Sequence, residues 1–128
     1  MRLETKSHGE SYISDESNIC DLNWGSSGLR IVVEFWKRSD PANRRFIEYY
    51  WHGFTRHRVL EESDLAHYWD DGNFENDKFL YEVISGGWIS NAPVEKINLW
   101  CGREWFVYTS NMSATIIASN EPLVRELK

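Results

Sequence analysis

The run from Leu29 to Lys37, LRIVVEFWK, constrains the fold more than any other stretch of the chain. Its odd-numbered positions up to residue 35 are all apolar, while its even-numbered positions mix polar and apolar side chains. Side chains that alternate with a period of two point to opposite faces of a β-strand. We therefore expect a strand with one face in the core. The other face should be partly covered, because Val32 and Trp36 lie on it.

Runs of the same character recur along the chain and are separated by turn signals. Each is rich in β-branched or aromatic residues, which favours strands. The turn signals are GSSG at 25–28, SDPAN at 39–43 and SNMS at 110–113, and the other predicted strands are 19–24, 45–51, 54–61, 79–84, 97–101, 103–109 and 114–119. With roughly seven strands, residues 1–128 are predicted to form a single mainly β domain (β-rich α+β). Its strands would build an antiparallel β-sandwich or a strongly bent sheet, with one short helix.

The short helix is predicted at SDLAHYW, residues 63–69. Ser63 is a favourable N-cap residue, and Asp64 suits the positive end of the helix dipole. Leu65, Tyr68 and Trp69 fall on one helical face. Residues 1–10 are polar and are expected to be frayed, and Pro122 is expected to begin a tail of one helical turn at most.

Composition narrows the class of protein further. Aromatic residues reach 15% of the 128 residues, with seven tryptophans, which is enough to build a core and to supply aromatic anchors for binding. No signal peptide or membrane-spanning run is recognisable, so a cytoplasmic protein with no membrane association is expected. Cys20 and Cys101 are then expected to be reduced and buried, although their spacing does not decide whether they pair.

The charge is unevenly distributed along the chain. The formal net charge of −6 argues against binding to nucleic acid, whose phosphates would repel it. Residues 37–58 hold six Lys or Arg against two Asp or Glu, a net charge of +4. Residues 61–82 hold eight Asp or Glu against one Lys, a net charge of −7. We call these the basic segment and the acidic segment. Two faces of opposite sign are possible, but proximity along the chain does not establish them.

The acidic segment contains WDDGNFENDKF at 69–79, which has three readings. Counted from Asp71, oxygen-bearing side chains stand at positions 1, 3, 5 and 12 of a calcium-binding loop. However, position 6 is Asn76 rather than Gly, Lys78 adds a positive charge, and a strand rather than a helix is predicted to follow. A polar turn that ends the helix is the simplest reading, and a binding surface is the third. We therefore predict no metal site here.

No motif for catalysis or for a cofactor is present. His52, His57 and His67 lack the partners that a zinc site needs, and no nucleophile motif or phosphate-binding loop occurs. Glu34 and Glu48 could face each other across a hairpin as the carboxylates of glycosidases do, but we expect both to be solvent-facing. The sequence predicts no catalytic residue and no cofactor.

The order of motifs is similar to that of a known group. LRIVVEF leads to FTRHRVLEESDLAHYW, then to FLYEVISGGW, then to REWFVYTSNMSATIIAS and Pro122. Over residues 29–122 the chain resembles small bacterial immunity proteins of contact-dependent and other polymorphic toxin systems. The resemblance implies a stoichiometric inhibitor that binds and neutralises a cognate toxin domain, in many cases a nuclease.

A nuclease presents a basic cleft to phosphates, so an acidic surface flanked by aromatic residues would suit such an inhibitor. The residues predicted to contact a basic toxin are Glu61, Glu62, Trp69, Asp70, Asp71, Phe74, Glu75 and Asp77. Two alternatives remain. The chain could be a β domain that binds a small or hydrophobic ligand in an aromatic-lined pocket. It could also be an enzyme without a recognisable motif, using a pair such as His52 and Glu48. The oligomeric state stays open.

Overall fold

The computed structural model describes residues 3–61, 74–75, 77–88 and 102–127. This part of the chain forms two antiparallel sheets, so the predicted mainly β fold is confirmed as a sandwich. The four-stranded sheet has the order β2-β3-β4-β9, and the five-stranded sheet has the order β1-β6-β7-β8-β5. The strands are β1 (Glu4–Ser7), β2 (Glu16–Gly25), β3 (Gly28–Lys37), β4 (Asp40–His52), β5 (Thr55–Leu60), β6 (Leu80–Ser85), β7 (Arg103–Val107), β8 (Ser113–Ala118) and β9 (Leu123–Leu127).

The main core lies between the two sheets. The four apolar positions of β3 that the sequence assigns to one face are all buried there, next to Ile47, Tyr49 and Trp51 of β4. The five-stranded sheet contributes Leu80, Trp105, Val107, Ala114, Ile116 and Ala118. The second face of β3 is partly covered as expected, since Val32 is buried and the Arg44 guanidinium lies 3.9 Å above the Trp36 ring.

A β-bulge at Cys20 explains why the apolar pattern of β2 is irregular. Ile19 pairs with Val33 and Asp21 pairs with Val32, so Cys20 is the extra residue. One extra residue reverses the alternation of side chains across the sheet. Ile19 therefore joins the core before the bulge, and Leu22 packs against it after the bulge. The predicted burial of Cys20 is wrong, because this free thiol is exposed at the bulge.

The hairpin between β3 and β4 turns earlier than predicted. Lys37 pairs with Asp40, so the turn consists of residues 38 and 39, and Pro41 belongs to β4 rather than to the turn. Regular pairing with β3 resumes only where Arg45 meets Phe35. Proline has no N–H to donate and is tolerated in such an irregular stretch of strand.

Both chain ends add strands that the sequence did not predict. Glu4–Ser7 forms β1 against β6 and Leu3 is buried, so these residues are not frayed. After Pro122, Leu123–Leu127 pairs with β4 as β9 instead of forming a helical turn. The predicted helix at 63–69 and the predicted strand at 97–101 lie outside the described residues. In the described part of the chain, no helix is long and apolar enough to cross a membrane.

A second, smaller apolar cluster lies on the opposite face of the five-stranded sheet. Its buried members are Leu3, Leu60, Tyr81, Val83 and Phe106, with Phe74 and Tyr108 packed against them. Both faces of this sheet therefore bury apolar side chains, which accounts for much of the aromatic content.

Candidate functional site

Four charged residues of the acidic segment, Glu61, Glu75, Asp77 and Lys78, lie at one end of the sandwich. Glu61 follows the last residue of β5, and residues 74, 75, 77 and 78 precede β6. Leu60 pairs with Ser113, the first residue of β8, and Leu80 pairs with Val107, the last residue of β7. Because β7 pairs with β8, the end of β5 and the start of β6 lie at the same end of the five-stranded sheet. We call this end of the sheet the loop end. Predicted site residues Glu62, Trp69, Asp70 and Asp71 lie outside the described residues.

Phe74 packs the segment before β6 against the five-stranded sheet. Its ring stacks on Tyr108 with the centroids 5.2 Å apart and meets the edges or tilted faces of Tyr81 and Phe106 at 4.9 Å. The side chain is half-buried by these contacts. Sequence reasoning placed Phe74 at a partner interface. In the folded chain its main contacts are internal, and they position the charged residues that follow.

Glu75 and Lys78 form a local turn with its own ion pair. The Lys78 ammonium lies 2.9 Å from the Glu75 carboxylate, and the Glu75 hydrogen bond raises the pKa of Lys78. The Glu75 N–H donates to the Tyr81 hydroxyl at 2.9 Å, and the Lys78 N–H donates to the Glu75 carbonyl at 3.2 Å. The turn therefore holds Glu75 close to the sheet.

Asp77 links the loop to the N-terminal segment. Its carbonyl accepts a hydrogen bond from the Tyr12 N–H at 2.6 Å. Glu61 is exposed at the same end of the sheet, where β7 and β8 separate β5 from β6. Glu82, which would supply the twelfth position of a calcium loop, instead accepts two hydrogen bonds from Arg103 at 2.7 and 2.9 Å. This pairing with Arg103 lowers the pKa of the Glu82 carboxyl.

Three of the six cations of the basic segment form ion pairs with carboxylates from other strands. Arg38 binds Glu16 at 2.7 Å, Arg44 binds Glu34 at 2.8 Å, and Arg45 binds Glu126 at 2.6 Å. None of these carboxylates comes from the acidic segment. These ion pairs offset part of the positive charge of the basic segment, because antiparallel pairing brings carboxylates of β2, β3 and β9 next to the three arginines.

The carboxylate pair considered for catalysis is engaged in ion pairs instead. Glu48 is buried on the outer face of the four-stranded sheet, where Arg30 donates to it at 2.5 Å and Arg125 lies 3.2 Å away. Arg30 also contacts Asp21 at 2.6 Å. The expectation that Glu48 is solvent-facing is wrong, since two guanidinium groups compensate its burial. The hydrogen bond from Arg30 lowers the pKa of the Glu48 carboxyl.

Replacing Glu48→Gln should reduce the free energy of unfolding by about 1–3 kcal/mol at pH 7, since Arg30 and Arg125 lose a shared counter-charge. The folded-state pKa of Glu48 is below its ordinary value of 4.5, so its contribution is complete above that value and is lost as pH falls through the folded pKa. The difference between native and variant proteins should therefore shrink in acid. Urea unfolding at neutral and acidic pH measures it.

The matched control for this prediction is Glu126→Gln. Glu126 pairs with Arg45, but both side chains are about half-exposed, so its loss should be under about 1 kcal/mol. Equal losses for the two variants, or a Glu48 effect that persists in acid, would contradict the role assigned to Glu48.

The described histidines occupy separate places. His57 contacts Trp24 with ring centroids 5.7 Å apart, and burial lowers the pKa of this histidine. His52 packs edge-on against Tyr50 at 4.5 Å, and His8 Nε2 lies 2.9 Å from Glu121. Among the residues that the structure describes, no three His, Cys, Asp or Glu side chains group as a metal site would require.

A groove at the loop end was missed by sequence reasoning. It has a volume of about 440 Å³ and runs between residues 10–13 and the hairpin of β3 and β4, and a second hollow of about 300 Å³ adjoins it. The two share Glu10, Tyr12 and Glu126. Tyr12 and Ile13 form too short an apolar pair to predict a structural role, and Glu126 falls in the predicted tail. The groove arises only from the fold.

Comparison of the chain with protein-family models, with curated proteins and with solved structures finds no match. The functional argument therefore rests on the arrangement of these residues.

Proposed function

We propose that this chain is a non-catalytic immunity-type protein that binds and neutralises a basic bacterial toxin domain in the cytoplasm. The observation that carries the proposal is that Glu61 and Asp77, at the loop end, form no ion pair among the described residues. Three arginines of the basic segment are matched by carboxylates from elsewhere in the chain. In the described part of the acidic segment, Glu82 alone pairs with a cation from outside it. Negative charge is therefore retained at the loop end.

The loop end also has the construction that a binding surface needs. Phe74 and its aromatic neighbours tie the loop to a rigid sheet, and the Tyr12 N–H bonds it to the N-terminal segment. Binding through a pre-positioned surface costs less conformational entropy than binding through a mobile one. Carboxylates on such a surface would steer a basic partner toward it and speed association.

Charge reversal at this surface tests the proposal. The double variant Glu61→Lys and Asp77→Lys changes one exposed and one half-buried carboxylate that have no ion pair among the described residues. We expect it to weaken binding to a basic toxin domain by about tenfold or more, mainly through slower association. Growth of cells that co-express the toxin domain with each version of the protein measures the loss of protection.

The control is a double variant with the same change in net charge at the opposite end of the sandwich, Glu4→Lys and Glu121→Lys. Glu4 pairs across to Ser85, and Glu121 lies beside His8 in the segment between β8 and β9. This control should protect like the native protein. Equal loss in both variants would indicate an effect of net charge alone, and full protection by both would overturn the proposed surface.

A further inference from the structure

The edge strand β2 contacts the five-stranded sheet near both of its ends. At the loop end, the Ser17 N–H donates to the Ser110 hydroxyl at 2.8 Å, and the Ser110 N–H donates to the Ser17 hydroxyl at 2.9 Å. We call this pair the polar contact. At the other end of β2, the Trp24 ring meets the His57 ring of β5 with the centroids 5.7 Å apart. We call this second pair the aromatic contact. The two edge strands β2 and β5 therefore lie on the same side of the sandwich.

The aromatic contact covers part of the main core. Leu22 packs against that core, and Trp24 lies two residues further along the same face of β2. His57 pairs with the buried Ile116, so its ring points between the sheets. Trp24 is 60% exposed, which leaves one side of its ring in water. Movement of this ring away from His57 would open the side of the sandwich to solvent.

His57 is the titratable group of the aromatic contact. Burial lowers the pKa of His57 and is the one cause of that shift among the described residues. Arg56 and Arg58 flank it on β5, so their side chains point to the opposite face of the sheet. There Arg58 donates to the Thr115 hydroxyl at 3.2 Å.

The other strands supply no counter-charge to His57 within the described residues. From β8, the residue directly opposite is the apolar Ile116. From β2, the nearest carboxylate along the chain is Asp21, which contacts Arg30 at 2.6 Å on the outer face of the four-stranded sheet. A proton on His57 would therefore place a positive charge beside Trp24 and Ile116 with no carboxylate to offset its loss of water.

We propose that the aromatic contact is an acid-sensitive switch, in which protonation of His57 releases Trp24 and opens the end of β2 while the polar contact holds the other end. A charged imidazole gains water once the Trp24 ring moves away. The serine hydroxyls of the polar contact stay neutral, so acid leaves them unchanged. The switch is independent of the proposed toxin binding, which uses the loop end.

The pH range of the switch follows from the direction of the shift. The folded-state pKa of His57 is below its ordinary value of 6.5, so the contribution of neutral His57 to stability is complete above 6.5. That contribution is lost as pH falls through the folded pKa. The Glu48 carboxyl, whose ordinary value is 4.5, loses its contribution only at lower pH. A comparison at about pH 7.5 and about pH 5 therefore separates His57 from Glu48.

Backbone hydrogen exchange, followed by NMR at these two pH values, tests the switch. Each exchange rate is divided by the intrinsic rate of an unfolded peptide at the same pH, which gives a protection factor. We expect the protection of residues 22–25 to fall about threefold or more at the lower pH, and the indole N–H signal of Trp24 to shift. The protection of Ser17 and Ser110 should change by less than about twofold.

Three variants assign the effect to His57. His57→Phe keeps an aromatic ring beside Trp24 but takes up no proton, so the protection of residues 22–25 should no longer depend on pH. His57→Gln is the second non-titrating variant if the Phe side chain lowers stability. His52→Gln is the matched control, because His52 is exposed at the same end of the sandwich and packs against Tyr50 instead. The fall in protection should persist in this control.

Equal protection of residues 22–25 at both pH values in the native protein would overturn the proposal. The same fall in the non-titrating variants would also overturn it. A fall of similar size at residues 22–25, Ser17 and Ser110 would count against it as well, because it would indicate a loss of stability along the whole strand rather than opening at one end.

Discussion

Gly28→Ala is expected to lower the free energy of unfolding by about 3 kcal/mol or more. Gly28 has φ of +147°, a conformation that residues with a side chain rarely adopt. A Cβ atom at this position would also lie 2.1 Å from the backbone carbonyl oxygen of Trp51. That oxygen belongs to β4, so relief of the clash would require the central strands β3 and β4 to separate. The midpoint and slope of urea unfolding measure the loss.

Gly25→Ala is the control from the same hairpin. Gly25 pairs directly with Gly28, but a Cβ atom added to it would meet nothing within 4 Å, and its φ is not positive. The free energy of unfolding of the Gly25→Ala variant should stay within about 1 kcal/mol of that of the native protein, and any gain would come from the reduced entropy of the unfolded chain. Similar losses for the two variants would contradict the packing of β3 against β4.

Trp51→Ala is expected to cost about 3–5 kcal/mol, because it removes one of the largest fully buried side chains of the core. Trp51 lies on β4 opposite Leu29 and packs 6.4 Å from the Tyr49 ring, so the cavity would open in the middle of the sandwich. A cavity enclosed by two sheets collapses poorly, which keeps the loss near the upper part of that range.

Trp51→Phe should behave differently. The Trp51 indole N–H is buried and has no hydrogen-bond partner in the described part of the chain. Phenylalanine removes this unsatisfied donor, which offsets part of the lost packing, so the variant should fall within about 1 kcal/mol of native. Urea unfolding of both variants separates the two effects. A loss for Trp51→Phe close to that for Trp51→Ala would contradict the offset expected from removing the unsatisfied indole N–H.

The strands that carry the core are predictable because their signal is local. The alternation in LRIVVEF and the turn GSSG reproduce β3 and the turn before it, since a period of two needs only neighbouring residues. The β-bulge at Cys20 is different. The extra residue at the bulge reverses the alternation of inward and outward side chains along β2. Ile19 therefore looks like an exception to the apolar alternation until its pairing with Val33 is known.

The chain ends are less predictable because their order depends on distant partners. β1 is short and polar, and it is held by pairing with β6 and by the burial of Leu3. β9 has the exposed residues Leu123 and Val124, which carry no clear alternation, and it is ordered by pairing with β4. No local pattern marks either segment as a strand.

The site is predictable only in part for the same reason. Glu61, Glu75 and Asp77 lie at one end of the folded chain because they flank two strands of one sheet, and proximity along the chain did not establish this. The sequence does not show that Arg45 is neutralised by Glu126, since the two residues are 81 positions apart. Tyr12 is a single aromatic residue in a polar stretch, and its place in the groove comes from contacts with Phe35 and Phe79.

The central claim is that the acidic loop end binds a basic toxin domain, and calorimetric titration tests it most directly. The native protein and the Glu61→Lys, Asp77→Lys variant are titrated with the basic toxin domain used in the growth assay, at about 0.01 M and about 1 M salt, where the Debye length changes from about 30 Å to about 3 Å. We predict stoichiometric binding by the native protein that weakens strongly with salt, and weaker, less salt-dependent binding by the variant. Native and variant affinities that agree at both salt concentrations would contradict the account.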